Sequence, residues 1–167
     1  MTETHILYVA NSGKQRRDLV ATLEKRGLSV QVCSDAAAAD RIVAEHEFDL
    51  VLCENELAVQ TGLVLLKQVR GHKPQLPFIL LGVDPASGDG RAAIRAGASH
   101  YLCEPLDLEE VEIRIEQVRE RARLMRTLEE RGRELEAKTI ELAQANVDLL
   151  GAQEELEQAG NQIRLIV

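Results

Sequence analysis

Glu54 closes the apolar run Phe48-Asp-Leu-Val-Leu-Cys53, where a carboxylate at the end of a strand could accept a phosphoryl group or hold a hard cation. Three other runs end at positions of equal interest. Ile6-Leu-Tyr-Val9 is followed by Ala10 and Asn11, Phe78-Ile-Leu-Leu closes on Gly82, and Tyr101-Leu-Cys leads into Glu104-Pro105. Alanine offers no ligand and asparagine only a neutral carbonyl. If Glu54 and Glu104 faced each other without a cation, repulsion would raise the pKa of one or turn Glu104 outward, and the outward rotamer is expected. His5, His46, His72 and His100 are scattered, with no nucleophile or ligand spacing beside them. Cys33, Cys53 and Cys103 show no CxxC or Cys/His spacing and read as small buried hydrophobes. No catalytic residue, metal site or cofactor is expected.

The elements that must position these residues follow from periodicity. Apolar runs of four to six residues alternate with helix-period segments, the pattern of βαβ units and a parallel sheet covered on both faces. Strands are expected at Ile6–Ala10, Ser29–Cys33, Phe48–Cys53, Phe78–Gly82 and His100–Cys103. Helices are expected at Lys14–Arg26, Ala36–Glu45 with Asp35 as N-cap, Gly62–Arg70 and Asp89–Ala96. Gly27 and Gly97 follow helices, where a left-handed cap favours glycine. Five such pairs suit an α/β, flavodoxin-like, doubly wound five-stranded parallel sheet of order 2-1-3-4-5. That topology gathers residues 10–11, 54, 82 and 104 at one edge, the carboxyl ends of the strands, where ligands collect.

The second region is a long helix, residues 107–167, without proline. Leu128, Leu135, Leu142, Leu149, Leu156 and Ile163 recur at seven-residue spacing, which predicts a parallel coiled coil from about residue 122. With these at d, the a positions run Val111, Val118, Met125, Gly132, Thr139, Asn146, Gln153, Gly160 and Val167. Gly132 and Gly160 fill no hole, and each costs about 1 kcal/mol of helix propensity. The seam is therefore marginal, and a buried Asn146 favours two parallel strands in register. Arg131 at g facing Glu136 at e of a parallel partner weakly supports the same pairing.

Composition narrows the function classes. Up to residue 106 there are 11 Lys/Arg against 13 Asp/Glu, and beyond it 9 against 15, so both parts are acidic and the net charge is −8. An acidic chain repels phosphate backbones, and the Arg119, Arg121, Arg123, Arg126 cluster is interleaved with glutamates, so no nucleic-acid partner is expected. Two Phe, two Tyr and no Trp leave an aliphatic core with few stacking platforms. No apolar run approaches membrane-spanning length, and no secretory pattern opens the chain, so no membrane partner is expected.

Taken together, Ile6–Val9, Ala10-Asn11, Arg16, Asp49–Glu54 with Gly62 eight residues on, Pro77–Gly82, Ala96-Gly97-Ala98 and Tyr101–Pro105 resemble the receiver domain of two-component response regulators. The resemblance covers residues 5 to 120 without insertion or deletion, so the domain is expected over 1–120. It implies two metal-binding acids after the first strand and an acceptor aspartate ending the third. It further implies a switch hydroxyl ending the fourth strand and a lysine near the end of the fifth. The matching residues here are Ala10 and Asn11, Glu54, Gly82 and Glu104, so magnesium affinity and phosphorylation are expected to be lost together. Tyr101 matches the aromatic whose inward or outward position tracks activation. Without its partner hydroxyl it is expected to be an ordinary, partly buried strand tyrosine.

The expectation is a non-enzymatic, phosphorylation-independent pseudo-receiver in a bacterial cytoplasm. It would dimerise through Met125, Leu128, Leu135, Leu142, Asn146, Leu149, Leu156 and Ile163. It would serve as a signalling adaptor for an unidentified protein partner at the face of the fourth helix, fifth strand and fifth helix, around Arg91, Arg95, Tyr101 and Leu106. One alternative is an input module and transmitting helix of a larger histidine kinase, diguanylate cyclase or phosphatase, suggested by the apolar ending Ile163-Arg-Leu-Ile-Val167. The other is an atypical receiver still phosphorylated on Glu54 or another acid.

Overall fold

A computed structural model describes residues 4–11 and 13–166. Five strands, β1 (Thr4–Val9), β2 (Leu28–Cys33), β3 (Leu50–Glu54), β4 (Phe78–Gly82) and β5 (His100–Cys103), alternate with α1 (Lys14–Lys25), α2 (Ala36–Glu45), α3 (Gly62–His72), α4 (Asp89–Arg95) and α5 (Leu108–Ile166). All pairings are parallel and the sheet order is β2-β1-β3-β4-β5. This is the doubly wound flavodoxin-like sheet that the alternating pattern predicts.

Side-chain alternation sorts the strands into two cores. Leu7, Val9, Val51, Cys53, Phe78 and Leu80 pack with Leu65, Leu66 and Val69 of α3 and Ala39 and Val43 of α2. On the opposite face Ile6, Tyr8, Ala10, Leu50, Leu52, Ile79 and Leu81 pack with Leu19 and Leu23 of α1 and Val111, Ile115 and Val118 of α5. Strands buried on both faces must be nearly continuously apolar, which is how the β3 and β4 runs read.

Local signals set the boundaries. The Asp35 carboxylate accepts the main-chain N–H groups of Ala37 and Ala38 to open α2, and the Thr61 hydroxyl accepts that of Val64 to open α3. Gly27 and Gly97 stand at φ 78° and 98°, left-handed conformations that close α1 and α4 at little cost for glycine alone. Three strands differ from expectation, β2 only by starting one residue earlier, at Leu28. β1 starts at Thr4, which pairs with Leu28, and β3 runs from Leu50 through Glu54, which pairs with Leu81. Glu54 is therefore the last rung of the sheet, not the first loop residue.

The chain divides into two compact units between Ala122 and Arg123. Val111 and Val118, the first two a positions of the heptad register, are buried in the first unit against the sheet and are unavailable to a seam. In the second unit Met125, Leu128, Leu135, Leu142, Asn146, Leu149, Leu156 and Ile163 all lie exposed along α5. Val167, the last a position, falls outside the described residues.

Candidate functional site

The sheet brings Ala10, Asn11, Glu54, Gly82 and Glu104 to one edge, because each ends or immediately follows β1, β3, β4 or β5. Within that edge Glu54 folds back over β1. Its Oε1 accepts the Tyr8 hydroxyl at 3.2 Å and its Oε2 accepts the Asn11 main-chain N–H at 2.9 Å. The Asn11 side chain continues the link, with Nδ2 donating to the Glu56 carbonyl at 2.6 Å. The reverse amide orientation would set two acceptors against each other, so the nitrogen belongs there. Arg16 Nη1 donates to the Ala10 carbonyl at 3.1 Å, which places a guanidinium beside the same carboxylate.

Burial pushes the Glu54 pKa up, and the Asn11 and Tyr8 hydrogen bonds pull it back, while the Glu104 charge adds to the rise and Arg16 opposes it. The net direction is upward, so desolvation outweighs the two donors. Burial also raises the Tyr8 hydroxyl, reinforced by Glu54. The same two causes raise the Cys53 thiol, which makes it a poor nucleophile. Glu104 is exposed, and its N–H donates to the Gly82 carbonyl at 2.9 Å.

The donor set does not fit a divalent cation. A hard cation needs converging oxygens, but Ala10 supplies none and Asn11 turns N–H groups toward the oxygens of Glu54 and Glu56. Hydrogen bonds to a charged group contribute about 1.5–3 kcal/mol each. A cation at Glu54 would have to displace two such bonds. Among the described residues no three His, Cys, Asp or Glu side chains are placed to hold a metal.

The other half of the edge is steric. The Tyr101 hydroxyl lies above Gly82, where a Cβ would overlap it, and the ring edge lies 2.9 Å from where a Cβ on Gly90 would stand. Two glycines thus make the slot that holds the ring. The hydroxyl is buried without a hydrogen-bond partner. Cys103 and Ser87 come near enough to influence its ionisation, yet neither meets it with hydrogen-bond geometry. Burial is the main reason its pKa is pushed up to about 12. Tyr101 is a partly buried strand tyrosine, as its sequence context leads one to expect, with its hydroxyl end buried over Gly82. It points inward because the residue ending β4 has no side chain.

Asn55 ties the rim together. Its Nδ2 donates to Asp89 Oδ2 at 3.2 Å, its Oδ1 accepts the Leu63 N–H at 3.3 Å, and its main-chain N–H bonds the Leu81 carbonyl. The β3–α3 loop is thereby joined to the first turn of α4. Tyr8, Asn55 and Asp89 escaped the sequence reading. A signal existed for Tyr8, since it lies two residues before Ala10 in β1 and so shares its face. Asn55 and Asp89 are 34 residues apart and carried none.

The Response regulator receiver domain family matches residues 6–116, two thirds of the chain. The chain belongs to that family. As a receiver domain it is 32% identical over 121 residues to the transcriptional activator protein PfeR of Pseudomonas aeruginosa, covering 72% of this chain and 39% of PfeR. It therefore spans well under half of that relative's length. Among solved structures, it superimposes with TM-score 0.70 on the CheY-like receiver domain protein of Methanospirillum hungatei, at 18% identity, covering 74% of this chain and 99% of the other. The receiver domain of an HD domain-containing protein from Pseudomonas fluorescens gives TM-score 0.68 and 27% identity, covering 73% and 98%.

Two outcomes follow from this receiver's geometry. Folding raises the Glu54 pKa, so its contribution is fully present below the ordinary glutamate pKa and is lost as pH climbs through the folded value. Glu54→Gln removes that loss, so its stability relative to the natural chain should improve as pH rises above the ordinary glutamate value of about 4 in urea unfolding. A relative stability that worsens with that rise contradicts the burial account. Separately, Gly82→Ser should evict the Tyr101 ring, so that one tyrosine ionises near its ordinary value of about 10 in an absorbance titration at 295 nm. In the natural chain neither should. An unchanged titration contradicts the steric slot.

Proposed function

We propose that this receiver works without phosphorylation, as a non-enzymatic pseudo-receiver that presents a fixed protein-interaction surface in the cytoplasm. The observation that carries this reading is the closed hydrogen-bonded set around Glu54. Tyr8 and Asn11 occupy the carboxylate, and the positions the family uses for cation, switch hydroxyl and lysine hold Asn11, Gly82 and Glu104. Phosphoryl transfer needs a bridging cation to offset repulsion between an attacking carboxylate and the phosphoryl oxygens. Here the N–H groups of Asn11 point at the oxygens such a cation would need.

The surface to be presented is the face of α4, β5 and the start of α5, where Arg91 and Arg95 are exposed and Ile94 is 53% exposed. The Gly82 slot holds Tyr101 in place without any phosphate, so the face has one geometry. The exposed leucine series of α5 supports pairing with a second copy through a parallel coiled coil. The acidic net charge argues against a nucleic-acid partner, and no described helix is long and apolar enough to cross a membrane.

A second reading is favoured by the relatives. Receivers similar to this one sit inside longer proteins, a transcriptional activator in PfeR and an HD domain-containing protein in Pseudomonas fluorescens. In that reading the receiver and helix form the input segment of a larger signalling protein, and a reading frame continuing past Val167 decides for it.

Incubation with a small-molecule phosphodonor and magnesium, followed by intact-protein mass spectrometry, tests the main reading. The expected spectrum shows the unmodified chain. A phosphate adduct in substantial yield that Glu54→Gln abolishes contradicts it and supports a working atypical acceptor.

A further inference from the structure

The segment 139–153 of α5 carries more apolar surface than a two-stranded coil can cover. Its only charges are Glu141 and Asp148, and both fall on the c position of the register that places the leucines at d. Leu142 and Leu149 form the d column, 66% and 67% exposed. One residue further round, Ile140 and Val147 at b and Ala143 and Leu150 at e make a second apolar stripe, with Ile140 72%, Val147 62% and Leu150 61% exposed. A surface helix of ordinary pattern keeps charges across the face away from its core, and a helix apolar on most sides is one that becomes buried.

We infer that residues 139–153 form the centre of a four-helix assembly, in which a pair of chains meets a second pair of the same chain through the Ile140–Val147–Leu150 stripe. The occupant follows from angles and charge. The two stripes are offset by one residue, which is about 100° on an α-helix. That is close to the right angle between a helix's two neighbours in a square of four, whereas a two-stranded coil uses a single face. Taken round the helix, the two apolar stripes flank the polar a column of Thr139, Asn146 and Gln153, and the midpoint of the arc d, a, e, b lies opposite c. The acidic column Glu134, Glu141, Asp148 and Glu155 therefore faces water, between the f and g columns, so four like-charged copies can assemble without burying a carboxylate of this segment. Ala143, within the second stripe, is small enough to let the helices approach. The polar and glycine a positions weaken a coil built on the a/d seam alone, so the second stripe also supplies burial that this seam lacks.

This inference rests on the pairing proposed above, and one series separates the two. Sedimentation equilibrium of the full chain at micromolar concentration should give four times the chain mass. Ile140→Gln with Val147→Gln, which leaves the d column intact, should halve that mass to a dimer, with helix content unchanged by circular dichroism. A natural chain that is dimeric throughout overturns the four-helix assembly while leaving the pairing intact. A monomer at all concentrations overturns both. A tetramer indifferent to the double substitution overturns the assignment of the second stripe.

Discussion

The Glu54 carboxylate, held between the Tyr8 hydroxyl and the Asn11 amide, is the constraint on which the rest of the site depends. An anion at the rim of a parallel sheet must be neutralised or solvated, and a cation is the usual means where phosphate chemistry occurs. In this chain N–H and O–H dipoles do that work, with Arg16 nearby. The longer glutamate side chain matters here, because it reaches back from the end of β3 to donors on β1 and just beyond it. Burial still raises the pKa, so the arrangement tolerates the charge at some cost and is not a deep anion trap.

The opposite side of the rim follows the same logic in steric form. Ending β4 on Gly82 removes a hydroxyl and creates room, and Tyr101 fills that room with an unpartnered hydroxyl. A buried hydroxyl without a partner costs about 1–3 kcal/mol. Contact between the ring and its surroundings must offset that cost for the inward position to hold. Asn55 adds a bond from the β3–α3 loop to Asp89 of α4, so the loop is joined to the first turn of that helix. Electrostatics at Glu54 and packing at Gly82 thus both act at this rim.

Much of this was legible in the sequence. Parallel strands buried on both faces write their runs plainly, so order, topology and the convergence of residues 10–11, 54, 82 and 104 followed from periodicity. Asp35 and the two left-handed glycines announced helix boundaries by residue type. The partners of Glu54 did not, because Tyr8 reads as one more apolar strand residue and only the fold lays its hydroxyl beside β3. Where the Tyr101 hydroxyl goes was hidden for a related reason, although its partial burial was not. A missing side chain at Gly82 leaves no mark in the β5 sequence, although it decides where the tyrosine points. Heptad spacing likewise reads Val111 and Val118 as seam residues, while the sheet uses both for its own core. Periodicity gives a residue's face but not what covers it.

The most direct measurement is a crystal structure of the protein grown with magnesium and beryllofluoride, which together report a working acceptor site. The account predicts Glu54 still bonded to Tyr8 and the Asn11 main chain, with neither species beside it. Magnesium coordinated by Glu54 and a beryllofluoride group on its carboxylate, with Tyr101 free to move, would contradict it.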